Sequence, residues 1–235
     1  MISKFKVVFF DAGGTLVHPY PSVGEIYAGV AKRYGCDKPA SQINQLFHDT
    51  WKKRDGIGGL DSHSNEKLER TWWKSLVRDV FSELGGVSDF EGFFAELYDL
   101  FARPEVWRLY PGTLDILKEL KARKKKIAII SNWDSRLLKL CDTLGLQEYM
   151  EFILASAVFG SSKPHPKIFE EALKRSGVKS EEAVHIGDSW EDDIRGASQA
   201  GIEPIWINRH GATHPAASHE QAKKVKTIRD LRELL

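Results

Sequence analysis

Four apolar residues in a row, Val7-Val8-Phe9-Phe10, stop abruptly at Asp11 and give way to Gly13-Gly14-Thr15. The run is β-branched and aromatic and has no polar face. It therefore reads as a strand buried on both sides, the habit of a central strand in a parallel sheet. Such a strand needs helices above and below it, which restricts the chain to the α/β class. Asp11 then falls at the carboxyl end of the strand, where open α/β sheets hold their ligands. The two glycines let the backbone bend close to whatever is bound there.

The α/β rhythm is interrupted at once. From Leu16 to about residue 105 the apolar residues repeat at helical spacing. Val23, Ile26, Tyr27, Val30, Ala31 and Tyr34 form one face and end at Gly35; Ile43, Leu46, Phe47 and Trp51 form a second. After a break at Gly56, Gly58 and Gly59 come Leu68, Trp72, Trp73, Leu76, Val80 and Leu84, ending at Gly85-Gly86. Ser88 and Glu91 read as a capping box before Phe90, Phe93, Phe94, Leu97 and Phe101. Four amphipathic helices in succession predict a small bundle.

From Tyr110 strands and helices alternate again. Pro111 suits the first turn of a helix bearing Leu114, Leu117 and Leu120. Strands are predicted at Ile127–Ile130, Phe152–Ala155, Ala183–Ile186 and Pro204–Ile207, with a last short one at Lys226-Thr227-Ile228. Helices are predicted from Asp134 to Leu144, over Pro166–Arg175, from Gly187-Asp188 to Ala200, and around Leu231 and Leu234. The fold expected is an α/β, Rossmann-like doubly wound parallel sheet over residues 1–17 and 107–235, with an inserted α-helical bundle cap domain over 18–106. The joins near His18-Pro19 and Arg103-Pro104 would form a hinge pair that lets the insert close over the sheet.

Composition excludes several classes. At 235 residues with 42% hydrophobic content, the chain buries a substantial core. A net charge of +1 gives no electrostatic basis for binding nucleic acid or an anionic membrane. The short run Arg123-Lys124-Lys125-Lys126 reads as a solvated helix end. No apolar run is long enough to span a bilayer, and the first strand starts too early to leave room for a signal peptide. Cys36 and Cys141 are too few and too far apart for a disulfide framework. A soluble, cytoplasmic protein acting on a small molecule is expected; monomer or homodimer stays open.

The polar residues worth weighing lie at strand ends. Asp11 can be a covalent nucleophile or a turn aspartate. Ser131-Asn132, before a helix, offers a hydroxyl and backbone N–H groups to an anion such as phosphate, with Asp134 as the helix N-cap. Lys163 lies in Ser162-Lys163-Pro164-His165-Pro166, whose prolines stiffen the loop around an ammonium. Asp188 and Asp193 follow the next strand. Carboxylates gathered beside Asp11 need a cation between them, and Mg²⁺ suits a hard oxygen site with few carboxylates.

The ordered series D-x-G-G-T, S-N, K-P-x-P and G-D-S-x-x-x-D resembles the four motifs of the haloacid dehalogenase (HAD) superfamily, whose capped members carry a helical insert after the first motif. The resemblance covers nearly the whole chain. It implies Asp11 as nucleophile, Ser131 and Asn132 at the phosphate, and Lys163 as the stabilising cation. It implies Mg²⁺ held by Asp11, the carbonyl of Gly13 and Asp188, with Asp193 as an outer support. The usual first motif is D-x-D-G-T, and Gly13 stands where the second aspartate supplies acid–base help. That help is typically worth about 10²–10⁴-fold in rate.

Three readings follow from the glycine. A Mg²⁺-dependent phosphatase of small phosphorylated metabolites would proceed through an aspartyl-phosphate, with His18 or Asp134 as substitutes by proximity, or with none. Trp133 and Trp190 could wall its pocket or simply pack the core. A haloacid dehalogenase or a phosphonoacetaldehyde hydrolase would attack carbon instead, the latter using a cap lysine for which Lys52 and Lys53 are candidates. A catalytically weak protein would only bind a phosphorylated ligand. His210, His214 and His219 match no metal-ligand spacing and are read as loop residues.

Overall fold

The computed structural model describes residues 2–54, 57, 63–211 and 225–235; Gly56, Gly58, Gly59, His214 and His219 lie outside the described residues. In chain order the elements are β1 (Val7–Phe10), β2 (Val17–Pro19), α1 (Val23–Ala31), α2 (Ala40–Lys53), α3 (Glu66–Ser82) and α4 (Phe90–Leu100). Then come β3 (Trp107–Leu109), α5 (Thr113–Ala122), β4 (Lys126–Ser131), α6 (Arg136–Thr143), β5 (Phe152–Ala155) and α7 (Ser156–Phe159). The chain continues through α8 (Pro166–Ser176), β6 (Ala183–Gly187), α9 (Gly196–Gln199), β7 (Glu203–Ile207) and β8 (Lys226–Ile228).

Six strands form one parallel sheet in the order β5-β4-β1-β6-β7-β8. Alternate residues of β1 face opposite layers, as strand geometry requires. Val8 and Phe10 pack with Ile116, Leu117 and Leu120 of α5 and Leu137 and Leu140 of α6. Val7 and Phe9 pack with Ile168, Phe169 and Ala172 of α8 and Ala197 of α9. Both faces of the sheet are covered, which is the doubly wound α/β architecture expected from the apolar run. The chain winds to β4 on one side of β1 and to β6 on the other, so the order reverses at β1. Asp11 therefore sits at the switch point, where such sheets open a crevice.

The helices α1 to α4 enclose a core of their own, built on Tyr27, Ile43, Phe47, Leu76, Val80, Phe81, Phe93 and Leu97. Three of their starts, those of α1, α3 and α4, are capped by side chains. Ser22 accepts the Glu25 N–H, Asn65 the Leu68 N–H, and Asp89 the Gly92 N–H. The α4 cap thus falls one residue after the expected Ser88. Gly92 permits this, because a Cβ there would stand 2.4 Å from an Asp89 carboxylate oxygen. Ser88 instead donates to the Tyr34 carbonyl at 3.1 Å, and Glu91 pairs with Lys74 at 2.5 Å.

Three other local expectations shift. Pro111 lies ahead of α5, whose start is turned by Gly112 at φ 81°. Asp134 does not cap α6 as its first residue; Ser135 holds that position. The two joins are not free hinges: β2 and β3 pair antiparallel, Val17 with Leu109, His18 with Arg108 and Pro19 with Trp107. Three-residue strands with a proline at one end carry too little pattern to be read in advance. The basic run at 123–126 ends α5 and is tied down there, Lys125 donating to the Ser3 and Phe5 carbonyls and Lys126 to that of Ser176. Cys36 and Cys141 are both buried thiols. No helix of the described residues is long and apolar enough to cross a membrane.

Candidate active site

Asp11, Ser131 and Asp188 meet where β1, β4 and β6 end side by side. The Asp11 N–H donates to the Ile186 carbonyl at 2.9 Å, which locks the residue to the neighbouring strand. Beyond it the chain coils tightly, with the N–H groups of Leu16 and Val17 donating to the Ala12 carbonyl at 2.8 and 2.9 Å. Gly14 takes φ +75°, and a Cβ on it would lie 2.4 Å from the Asp188 carboxylate. Glycine is thus needed twice over at position 14, for its conformation and for the approach of Asp188. Arg209 donates to the Gly14 and Thr15 carbonyls and lies 3.6 Å over the Tyr110 ring, pinning this loop from outside.

Lys163 is 2% exposed, unlike an ordinary loop lysine. Asn132 holds its backbone from both sides, donating from Nδ2 to the Lys163 carbonyl at 2.8 Å and accepting the Lys163 N–H on Oδ1 at 2.7 Å. The side chain of Asn132 is therefore committed to the lysine loop. Lys163 Nζ then donates to Asp11 Oδ1 at 2.7 Å and to Asp193 Oδ1 at 2.5 Å. Ser131 Oγ also donates to Asp11 Oδ1, at 2.9 Å. Asp193 reaches inward because Gly187 has no side chain; a Cβ there would fall 2.1 Å from the Asp193 carboxyl carbon.

One ammonium faces three carboxylates, and each carboxylate of Asp11, Asp188 and Asp193 offers an oxygen within 4.8 Å of the other two. The electrostatics follow from that imbalance. Burial opposes the Asp193 charge, but Lys163 and the hydrogen bond from His185 outweigh it and hold its carboxyl below the usual carboxylate range. Burial likewise opposes the Lys163 charge, and Asp11 and Asp193 overcome it, so the ammonium binds its proton more tightly than usual. Burial, joined by the Asp193 charge, outweighs Lys163 and the Ser131 hydrogen bond and leaves the Asp11 carboxyl raised. Asp188 is raised well above the ordinary value by the protein atoms crowding it and by Asp11 and Asp193, although the residue opens to solvent on its outer side. A divalent cation fits such a donor set: it supplies the positive charge that the carboxylates lack, among hard oxygen ligands.

Asp134 is fully buried and accepts Arg136 through both carboxylate oxygens and the Tyr98 hydroxyl at 2.7 Å, so it is held by structure rather than offered to a substrate. His18 packs on Tyr110 with ring centres 4.6 Å apart. Trp133 packs on Trp107 at 4.9 Å, and its ring edge lies 3.4 Å from where a Gly13 Cβ would be, filling the space beside the glycine. Trp190 packs edge-on to Trp206 at 5.1 Å. Lys52 and Lys53 are exposed at the end of α2, and His210 is exposed beyond β7.

Two buried polar residues near these strand ends escaped the sequence reading. His185, in the apolar strand β6, bonds Asp193 Oδ1 through Nε2 at 2.8 Å. Glu69 of α3 is fully buried and is held by the hydroxyls of Ser64 and Ser156, the latter at the start of α7. A histidine or glutamate inside an apolar pattern was the only signal available for either.

The family profile for haloacid dehalogenase-like hydrolases matches residues 5–201. The mouse haloacid dehalogenase-like hydrolase domain-containing protein 3 is 32% identical over 207 residues, 87% of this chain and 82% of the mouse protein. A protein of Thermus thermophilus called phosphoserine phosphatase is 26% identical over 224 residues, 87% of this chain and 89% of its own. The solved structure of L-2-haloacid dehalogenase from Xanthobacter autotrophicus superposes with a TM-score of 0.69 at 22% identity, covering 94% of this chain and 84% of that one. At that identity the likeness is one of fold alone.

Proposed function

The chain belongs to the haloacid dehalogenase-like hydrolases, and within that family we propose that it is a Mg²⁺-dependent phosphatase of small phosphorylated metabolites. The observation that carries this reading is the third carboxylate. Asp188 stands within reach of both Asp11 and Asp193, a repulsive arrangement that serves phosphoryl transfer at a cation and would burden an attack on carbon without one. The relative called phosphoserine phosphatase supports the same class of reaction.

In this reading Asp11, the Gly13 carbonyl and Asp188 hold Mg²⁺, and Asp193 supports them from behind. The ion supplies positive charge to the carboxylates and to the oxygens of the transferring phosphoryl group. Asp11 attacks phosphorus in line through the carboxylate oxygen not engaged by Ser131 and Lys163. Lys163 and the Ser131 hydroxyl share the charge of the equatorial oxygens, assisted by the backbone N–H of Asn132. The P–O bond to the leaving group breaks as the Asp11–phosphorus bond forms. Water then attacks the aspartyl-phosphate and regenerates Asp11.

Gly13 can neither protonate the leaving group nor activate that water, and Asp134 is tied to Arg136 and Tyr98. Hydrolysis of the aspartyl-phosphate is therefore the slower step, and esters with good leaving groups are the better substrates. Residues 18–106 act as the cap and residues 1–17 and 107–235 as the core. Contacts from Glu66 to the Ser135 N–H, from Glu69 to Ser156 and from Tyr98 to Asp134 seat the one on the other beside the crevice.

The test is hydrolysis of an activated aryl phosphate with Mg²⁺ and with chelator. Wild type should release phosphate only with the ion, and Asp11→Asn should lose on the order of 10³-fold or more in kcat. Equal rates in the two proteins would sink the reading. Halide release from a haloacid in chelator would select carbon chemistry, and ligand binding without turnover would select the binding role.

A further inference from the structure

His185 lies wholly inside the molecule, on the strand that ends one residue before Asp188, and touches no solvent. Its ring stands edge-on to Phe169 with centres 5.3 Å apart, and Nε2 lies 2.8 Å from Asp193 Oδ1. Nδ1 has no hydrogen-bond partner among the described residues. These facts fix the tautomer. The Asp193 oxygen already receives Lys163 Nζ, and an ionised carboxylate can only accept, so Nε2 must carry the hydrogen. Nδ1 is then a bare lone pair. A hydrogen on Nδ1 would be a buried donor with nothing to receive it.

We propose that His185 is a positioning residue of the phosphatase site: its Nε2–H holds the Asp193 carboxylate in place, and Asp193 in turn holds Lys163 against Asp11. The proposal rests on the phosphatase reading above. Asp193 is gripped at three points, by Lys163 and His185 on Oδ1 and by the Ser189 N–H on Oδ2 at 3.0 Å. Remove the imidazole donor and the charge of Asp193 falls more heavily on Lys163. The ammonium then moves toward Asp193 and away from the 2.7 Å contact with Asp11. Nucleophile and phosphate lose part of their stabilising cation, while the Ser131 hydrogen bond to Asp11 and the place of Asp188 keep their own support. The effect belongs in kcat rather than in KM.

Glutamine and asparagine separate this role from simple packing. Both are neutral amides of similar polarity, but the glutamine amide reaches the place of Nε2 and the asparagine amide only that of Nδ1. His185→Gln should keep kcat within about threefold of wild type. His185→Asn should lose about tenfold or more with KM little changed. If both variants fall equally or neither falls, the proposal is overturned while the wild-type turnover still supports the phosphatase reading. A wild type without Mg²⁺-dependent turnover sinks that reading and the catalytic part of this proposal together. Independently of any variant's folding, two-bond ¹H–¹⁵N spectra of the labelled wild type should show His185 protonated at Nε2 and bare at Nδ1. A hydrogen on Nδ1 would overturn the placement itself.

Discussion

In the helical region Phe81 meets Phe93 edge-on with ring centres 4.5 Å apart, and Trp51, Trp72 and Trp73 gather within 5.4 Å of one another. At the carboxyl edge of the sheet, Lys163 lies 2.7 Å from Asp11 and 2.5 Å from Asp193. Phe81, Phe93 and Lys163 are buried and the three tryptophans half-buried, but the two regions are held by different physics. Ring packing is non-directional, so hydrophobic replacements of similar volume are tolerated. A buried polar network holds only when every member has its partner, since each unpaired charge is costly in a low dielectric. The first region can drift in sequence and keep its shape. The second can keep its chemistry only by keeping its residues.

Lys163→Met puts this contrast under the greatest load. It leaves Asp11 and Asp193 buried without their cation, a loss of about 3–5 kcal/mol, and it abolishes most turnover as well. Urea denaturation and kcat should fall together. Phe93→Ala should cost a comparable amount, about 3–5 kcal/mol, by leaving a cavity among the rings. Its kcat per folded molecule should remain near wild type. A large kcat loss in Phe93→Ala would show that the two regions are not separable.

Glu69 sharpens the comparison, because it is a charge placed at the edge of the ring-packed region. Burial outweighs the hydrogen bonds from Ser156 and Ser64 and pushes its carboxyl from 4.5 up to about 7. The folded chain therefore holds this proton more tightly than the unfolded one. Its stabilising effect is complete below pH 4.5 and is lost as pH rises through about 7, with a total on the order of 3 kcal/mol. Wild-type Tm should fall from pH 5 to pH 8 more steeply than that of Glu69→Gln; parallel curves would remove Glu69 as the cause. The smallest effect is expected at Gly13→Ala. Its Cβ would meet the Trp133 ring at 3.4 Å, ordinary contact, so stability should change by less than about 1 kcal/mol and kcat by about twofold at most. A larger kcat change would mean that the space between Gly13 and Trp133 belongs to the reaction.

What the sequence disclosed divides along the same line. Val7–Phe10 and Ile127–Ile130 are legible as strands because burial on both faces leaves no polar residue in the run, and Ala183–Ile186 is legible despite His185 because its other residues are apolar. Asp11 and Ser131 are legible because each follows such a run directly, and Asp188 because only Gly187 separates it from one. Lys163 is legible by its prolines, but its burial is not, since that comes from Asn132, 31 positions earlier, clasping its backbone. His185 and Glu69 look like chance polar residues in apolar patterns, and only three-dimensional neighbours reveal their partners. The ribbon of β2 and β3 is hidden for a different reason: its pairing joins residues about ninety positions apart through strands too short to show a period. The sheet and the four helices are thus written locally, and the links between them are not.

The place of β1 in the sheet has a consequence for how the chain acquires its form. Val7–Phe10 pairs with residues 126–129 on one side and 183–186 on the other, so its hydrogen-bonding edges have no partner until most of the polypeptide has been made. Helices α1 to α4 need only near neighbours in sequence and can condense first. During that interval the most apolar strand of the molecule is an unpaired, adhesive edge of the kind that recruits other nascent chains. Synthesis from the N-terminus thus leaves both edges of this strand open until residues 126–129 are made and one edge open until β6, the strand that leads to Asp188, arrives.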